Sequence, residues 1–121
     1  MNVQRGDVLK ARFPHASGER GKKRPVVVVQ ADSYNRRLRH AVVAEVTGNL
    51  EGKGDPACLF VDSSTPEPQA AGLTRDCLIS TYLLTLMSED RLQERIGRLS
   101  AETISKLDAC LKAALGLGRS R

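Results

Sequence analysis

The stretch that decides the fold is Gly18-Glu19-Arg20-Gly21-Lys22-Lys23-Arg24-Pro25-Val26-Val27-Val28-Val29, in which a glycine-containing cationic loop leads into a run of valines. The two glycines give the loop backbone conformational freedom. Four consecutive β-branched residues predict a strand that is buried on both faces. Because proline has no N–H to donate to a neighbouring strand, Pro25 suits the first position of this strand. Arg24 is therefore expected to be the last loop residue, held by the strand behind it and facing outward.

The arginine at this position has two interpretations. A guanidinium is permanently charged and offers a planar fork of N–H donors that a phosphate can accept. A Lys-Lys-Arg run in a glycine-containing turn is also what the solvated tip of an ordinary hairpin looks like. The rest of the chain has to decide between these two interpretations.

Other short apolar segments, separated by turn-forming residues, surround the valine run. In the first of them Leu9, Ala11 and Phe13 alternate with Lys10 and Arg12, which is typical of a half-buried strand. The last is apolar enough for one long strand, or for two strands that meet at a bend near residues 80–81. Closely spaced strands with such turns predict a small barrel or sandwich. The predicted strands are 8–13, 25–30, 41–47, 57–62 and 77–87.

The apolar spacing becomes helical near the end of the chain. Ser88 is a candidate N-cap of a short helix that Gly97 interrupts, and Ser100 is a candidate N-cap of a longer one that ends before Gly116. The longer helix has an apolar stripe that we expect to pack on the barrel. Residues 1–121 are thus predicted to form one α+β domain, mainly β, with a barrel at about 5–87 and helices at about 88–116. The stripe consists of Ile104, Leu107, Leu111, Ala114 and Leu115.

Length and charge restrict the possible functions. The chain has 121 residues, enough for one buried core, and a net charge of +5. Its basic residues cluster at 20–24, at 36–39 and at the C-terminal tail, which favours an anionic partner such as a phosphate backbone. No apolar run approaches the ~20 residues of a membrane helix, and the N-terminus has no apolar signal segment. We therefore expect a cytoplasmic protein that does not bind a membrane.

The three cysteines, Cys58, Cys77 and Cys110, are widely spaced and flanked by apolar residues. They show no metal-ligand spacing with each other or with histidine. The sequence predicts three reduced, buried thiols and neither a metal nor another cofactor.

Several short motifs follow one another in a specific order along nearly the whole chain. Each motif is weak alone, but their order and spacing together resemble the MazF/PemK family of toxin endoribonucleases. The resemblance implies a compact SH3-like (CcdB-like) antiparallel barrel with C-terminal helices, usually a homodimer. The motifs are Arg5-Gly6-Asp7-Val8, the 18–21 loop with Arg24-Pro25 and the valine run, Gly72-Leu73-Thr74-Arg75-Asp76-Cys77, and Arg95-Ile96-Gly97-Arg98-Leu99-Ser100.

The resemblance also implies a function. Members of the family are toxins that cleave single-stranded RNA at short recognition sequences, generally without a metal. Each is neutralised by a cognate antitoxin, which is expected here to be acidic. The active-site arginine of the family falls on Arg24 and its active-site threonine on Thr47. The 2′-OH of the ribose would attack the adjacent phosphate, leaving 2′,3′-cyclic phosphate and 5′-OH ends.

Six further residues are candidates for substrate binding, and several of them have a simpler interpretation. Glu19 or His15 could act as the general base, because a guanidinium is a poor base at its normal pKa. Glu19 is equally suited to tethering the loop, Asn35 to closing a turn, and Thr47 to being an ordinary β-branched strand end. The six candidates are His15, Glu19, Lys22, Lys23, Asn35 and Tyr82.

The chain departs from the family pattern at two places. Gly18 stands where the family often has serine. Thr81-Tyr82-Leu83-Leu84-Thr85 stands where Glu-Gln-x-Arg-Thr is common, so an arginine and a glutamine that would contact substrate or brace the site are missing. Tyr82 is a candidate for stacking on a base instead.

Two other classes of function remain open at this point. A CcdB-like gyrase-binding toxin would share the barrel, but it would lack the Arg/Thr pair and rely on a tail containing tryptophan, whereas this chain has no tryptophan. A non-catalytic nucleic-acid-binding barrel would need only the basic loops.

Overall fold

The computed structural model describes residues 1–14 and 20–118, with side chains for residues 1–12 and 23–118. The strands form a single curled antiparallel sheet with the order β4-β5-β3-β2-β1-β6, and a C-terminal helix follows it. The strands are β1 (Asp7–Pro14), β2 (Arg20–Val28), β3 (His40–Thr47), β4 (Cys58–Val61), β5 (Cys77–Ser88) and β6 (Glu94–Arg98); the helices are α1 (Asp32–Asn35), α2 (Pro66–Ala70) and α3 (Ala101–Leu115). This confirms the predicted fold class.

The valine run lies in the middle of the sheet and separates two apolar cores. Val27 belongs to the helix-side core, to which Leu107 of α3 also belongs, whereas Val26 and Val28 belong to the opposite core. These three valines are fully buried, as predicted, whereas Val29 is only partly buried and β2 ends at Val28. The helix-side core also contains Val8, Ala44, Val46, Val61, Ala71, Leu73, Cys77, Ile79 and Leu99; the opposite core also contains Leu9, Ala11, Ala41, Val43, Met87 and Leu92.

The start of β2 differs from the prediction. Arg24 is not the last loop residue but lies inside the strand, where it pairs with Ala11 of β1, and Pro25 pairs with Lys10. The Gly6 N–H donates to the Val28 carbonyl at 2.8 Å, so the backbone groups of Val28 face the β1 side. Since these directions alternate along a strand, the nitrogen of Pro25 faces β3. The β2–β3 ladder begins only at Val26, and this explains how β2 accommodates a proline away from its end.

Strand β5 is one continuous strand with an irregularity near the predicted bend. Its pairing with β3 changes from Ala44–Leu84 to Glu45–Ser80, so residues 81–83 bulge out of the ladder. Thr81 in this bulge is fully buried, and its hydroxyl donates to the Ala57 carbonyl at 2.6 Å. The structure therefore favours the first of the two alternatives for this segment.

The prediction of a short helix after Ser88 is wrong. Ser88 is the last residue of β5, Glu89–Arg91 form a single 3₁₀ turn, and Glu94–Arg98 form a strand that pairs with β1. The carboxylate of Asp7, almost completely buried, accepts hydrogen bonds from Arg95 at 3.2 Å and Arg98 at 2.9 Å. These contacts to β1, distant in sequence, override the local helical signal.

Helix α3 follows the prediction closely. The Ser100 hydroxyl accepts the Thr103 N–H at 3.1 Å, and Gly116 ends the helix in the left-handed conformation with φ of 68°. Ile104, Leu107 and Leu111 of the predicted stripe pack into the helix-side core. Leu115, in contrast, is 54% exposed, because it lies at the end of the helix. None of the described helices is long and apolar enough to cross a membrane.

A carboxylate of α2 holds the start of α3. Glu67 accepts the Ser100 N–H at 2.8 Å and also the Thr103 hydroxyl, so a negative charge sits at the positive end of the helix dipole. Burial raises the pKa of Glu67, but the hydrogen bonds from Ser100 and Thr103 outweigh it and the pKa lies below its ordinary value.

All three cysteines are free, as expected. Cys77 and Cys110 are buried, whereas Cys58 is only partly buried. Burial raises the pKa of the Cys77 thiol to about 11, so this thiol is protonated near neutral pH.

We expect Gly97→Ala to destabilise the fold, because an added Cβ at Gly97 would lie 2.2 Å from the backbone carbon of Ala71. Overpacking of this kind costs about 1–3 kcal/mol, measurable by urea unfolding. Gly48→Ala is the matched control, since a Cβ at Gly48 meets nothing within 4 Å. Equal effects of the two substitutions would contradict the close approach of β6 to Ala71.

The Glu67 carboxylate should make stability depend on pH. The pKa of Glu67 is lower in the folded protein than in the unfolded chain. Its contribution to the free energy of unfolding is therefore complete above the pKa that Glu67 has in the unfolded chain, and it is lost as the pH falls through the pKa that Glu67 has in the folded protein. The free energy of unfolding of Glu67→Gln should therefore lie below that of the unchanged protein at pH 7, with the gap closing toward pH 3. Glu102→Gln removes an exposed carboxylate from the first turn of α3 and should have little effect at either pH. A gap for Glu67→Gln that is constant with pH would contradict this role.

Candidate active site

Arg24 and Thr47 lie just beyond the paired part of β2 and β3. The ladder between these strands pairs Val28 with Val43 and ends at Val26 with Glu45. Continuing the same register places Arg24 directly opposite Thr47. The two residues predicted to carry the chemistry are therefore aligned across the open end of the ladder, which we call the strand mouth.

Pro25 provides a physical reason for the strand mouth. Val29 donates its N–H to the Val42 carbonyl at 3.0 Å, so every second residue of β2 directs its nitrogen toward β3. The next such residue after Val27 is Pro25, which has no N–H to donate to Val46. A cavity of about 370 Å³ lies beside Pro25 and Val46 on the helix side of the sheet, and neither Arg24 nor Thr47 lines it.

The Arg24 side chain is 51% exposed, and its Nη1 lies 3.5 Å from Oε1 of Glu45. The Glu45 side chain is only 23% exposed. Sequence reasoning missed Glu45, although a signal was present: it is the single charged residue between Ala41 and Thr47, in an otherwise apolar strand.

The Thr47 hydroxyl is held in place by the turn that follows β3. Its Oγ1 accepts the N–H of Asn49 at 3.1 Å, and the Asn49 side chain accepts the Glu51 N–H at 3.0 Å. Because the backbone amide occupies an acceptor position of the oxygen, the hydroxyl proton can be directed elsewhere. The Thr47 oxygen is thus held by the turn, and its hydroxyl can donate to another group.

Tyr82 lies farther along the same region, in the β5 bulge. A Cβ added at Gly52 would lie 3.4 Å from the Tyr82 hydroxyl, so this hydroxyl lies close to the loop that follows Thr47. A hydrogen bond with Cys58 raises the pKa of Tyr82. Its side chain is 53% exposed, which leaves it accessible for stacking.

Lys23 does not project from the same face of the sheet as Arg24. Successive strand residues point to opposite faces, and the Lys23 ammonium lies 2.7 Å from the Glu94 carboxylate of β6. This hydrogen bond lowers the pKa of Glu94. The structure therefore places Lys23 away from Thr47 and the strand mouth.

Asn35 is a structural residue rather than an accessible one. It is fully buried; its side-chain amide donates to the Gln30 backbone carbonyl at 2.9 Å and to Asp32 at 3.2 Å, and its backbone carbonyl accepts a hydrogen bond from the amino group of Met1 at 3.0 Å. Of the two interpretations of Asn35, the structure favours the turn. His15 and Glu19 lie outside the described residues, as does the side chain of Lys22.

Among the described residues, no group of three or more His, Cys, Asp or Glu side chains is placed to hold a metal ion. The groups that the structure does bring to the strand mouth are a guanidinium, a hydroxyl and a carboxylate. Such a set can bind a phosphate through its cation and donor, and can accept a proton through its carboxylate.

The chain is similar to known proteins in both sequence and fold. Residues 4–115 match the family described as PemK-like, MazF-like toxin of type II toxin-antitoxin system. Endoribonuclease EndoA of Bacillus subtilis is 32% identical, with 97% of each chain covered, and endoribonuclease MazF6 of Mycobacterium tuberculosis is 28% identical, with 97% of this chain and 100% of the other covered.

A solved mycobacterial structure, an endoribonuclease in complex with its cognate antitoxin, superimposes with a TM-score of 0.77 over 98% of this chain and 99% of the other, at 18% identity. That likeness shows a common fold. Because the family match extends over all six strands and all of α3, the chain belongs to the family of PemK-like and MazF-like toxins of type II toxin–antitoxin systems.

Proposed function

We propose that this chain is a sequence-specific endoribonuclease toxin that cleaves single-stranded RNA without a metal ion. The observation that supports the proposal is the β2–β3 register, which aligns Arg24 with Thr47 when it is continued by two residues beyond Val26 and Glu45. The sequence relatives named endoribonucleases support the reaction class. The gyrase-binding alternative has no use for this pair, whereas a purely binding barrel could use it to hold a phosphate and is distinguished by the cleavage assays below.

The proposed reaction uses the ribose as its own nucleophile. The 2′-OH attacks the adjacent phosphorus, and a pentacoordinate species with extra negative charge forms before the 5′-oxygen leaves. Arg24 stabilises this charge, because its guanidinium is half exposed and can turn toward an incoming phosphate. The Thr47 hydroxyl donates to a second phosphate oxygen. The products carry 2′,3′-cyclic phosphate and 5′-OH ends.

The partners follow from charge and from the relatives. The net charge of +5 suits both RNA and an acidic protein. The mycobacterial neighbour was solved with its cognate antitoxin, and we extend this to an acidic antitoxin that covers the 15–24 segment of the present chain. Because mRNA is accessible in the cytoplasm, we place the protein there. The family resemblance further implies that the protein is a homodimer.

Arg24→Ala should lower the rate of RNA cleavage far more than it lowers the affinity for RNA. Losing one charge-stabilising donor costs about 10²–10³-fold in rate, because the lost contact is strongest in the transition state. The measurement is single-turnover cleavage of single-stranded RNA in excess EDTA, with end-group analysis and single-stranded DNA of matching sequence in parallel. DNA should remain intact, since it lacks the attacking 2′-OH.

Lys23→Ala is the matched control for Arg24→Ala, because it removes the neighbouring cation whose side chain points to the other face. It should retain most of the cleavage rate. Equal losses in the two variants would indicate that only the overall positive charge matters, which is the behaviour of a simple binding barrel. Intact RNA with the unchanged protein would sink the enzyme proposal.

Thr47 can be tested with two conservative substitutions. Thr47→Val keeps the β-branched shape but removes the hydroxyl, and should lower the cleavage rate about 10²-fold. Thr47→Ser keeps the hydroxyl and should remain within about tenfold of the unchanged protein. If Thr47→Val cleaves as fast as Thr47→Ser, then Thr47 is only a strand end.

A further inference from the structure

We propose that Glu45 is the general base of this reaction and takes the proton from the attacking 2′-OH. The inference rests on the proposed ribonuclease function, and it assigns the one step that Arg24 and Thr47 cannot perform. A guanidinium stays protonated at every accessible pH, and a threonine hydroxyl is a far weaker proton acceptor than a carboxylate.

The position of Glu45 in the sheet supports this role. Glu45 pairs with Val26 of β2 on one side and with Ser80 of β5 on the other, so it lies in the centre of the sheet. Directly paired residues share a face, and residues two apart along a strand do as well. Glu45 therefore projects from the same face as Arg24 and Thr47, between them and the opposite core.

The stability of the fold does not account for a carboxylate at this place. Its neighbours on the same face include Val26 and Val43, both fully buried, so an apolar side chain would suit the position better. The ion pair with Arg24 offers little compensation, since the 3.5 Å separation is long and the arginine is half exposed. A carboxylate retained at such a cost, beside an accessible guanidinium, points to chemistry.

The exposure and partner of Glu45 also fit proton transfer. Its side chain is 23% exposed, so it is not sealed within the core. An arginine that binds the phosphate and contacts the carboxylate sets the distance between the base and the reacting phosphorus. Arg24 would thus hold the phosphate within reach of the groups that act on it.

The proton and bond changes balance without another reactant. The 2′-oxygen forms a bond to phosphorus as its proton passes to the Glu45 carboxylate. The bond between phosphorus and the 5′-oxygen breaks, and the 5′-oxygen takes a proton from water. Glu45 then releases its proton to solvent and returns to the ionised state, ready for the next substrate.

The first test is Glu45→Gln, which keeps the size of the side chain and removes the proton acceptor. Single-turnover cleavage should fall about 10²–10⁴-fold, the range for loss of a general base, while binding of the same RNA oligonucleotide changes little. Glu94→Gln is the matched control, because Glu94 forms an ion pair with the adjacent cation, Lys23, on the other face of the sheet. It should cleave at nearly the normal rate.

The pH–rate profile distinguishes a base from a residue that only positions Arg24. The unchanged protein should lose activity on the acidic side as the base becomes protonated. In Glu45→Gln this acidic limb should disappear, and the residual rate should rise about tenfold per pH unit in alkaline solution as hydroxide replaces the missing base. A positioning role predicts no such dependence on hydroxide.

Glu45→Asp provides a second variant that retains a carboxylate, so it should keep the acidic limb at a reduced rate. Folding of each variant is checked by thermal unfolding. The inference is overturned if Glu45→Gln cleaves within about threefold of the unchanged protein or keeps the acidic limb; the base would then be sought at Glu19 or His15. Failure of the proposed function is a separate result, in which the unchanged protein itself leaves RNA intact.

Discussion

The burial of β2 on both of its faces is the constraint on which the rest of the structure depends. Val27 packs toward α3, while Val26 and Val28 pack into the opposite core, so a single strand joins the two halves of the apolar interior. Neighbouring strands must pair with it in a fixed register, because a shift by one residue would exchange the contents of the two cores. That register also determines which residues of β3 stand opposite Arg24. The geometry of the candidate site is therefore a consequence of core packing.

The candidate site lies where β2 lacks a backbone hydrogen-bond donor, at Pro25. Pro25 follows the register of β2 but cannot bond across to β3, so the ladder stops at Val26 and Glu45. Beyond that point the strands separate while their cores remain fixed. Strand alternation then sorts the two adjacent cations, with Arg24 beside Glu45 and Lys23 beside Glu94. Two neighbouring positive charges thus acquire different surroundings, and one of them faces the strand mouth.

The candidate site was predictable from the sequence where its residues lie on one local pattern. Arg24 stands out by its place beside the valine run, whereas Thr47 is a candidate only through the family resemblance, since by itself it is an ordinary β-branched strand end. Glu45 was missed because its importance comes from pairing with β2 and β5, both distant in sequence. Asn35 was open to two interpretations because a polar residue after a turn can bind a ligand or the backbone. Its burial against Gln30 and Asp32 is a tertiary property.

The sequence by itself determined the strand segments up to residue 87, the two-faced burial of the valines, the capped helix α3 and the family motifs, because hydrophobic period, turn residues and caps act over a few residues. Only the tertiary structure decided that residues 94–98 form a strand and not part of a helix, that Pro25 lies inside β2, and that Arg24, Glu45 and Thr47 share one mouth. The physical reason is the same in each case. The conformation of each of these segments is fixed by a partner far away in the sequence, either the edge of another strand or a buried carboxylate such as that of Asp7. The residues next to the segment do not reveal that partner.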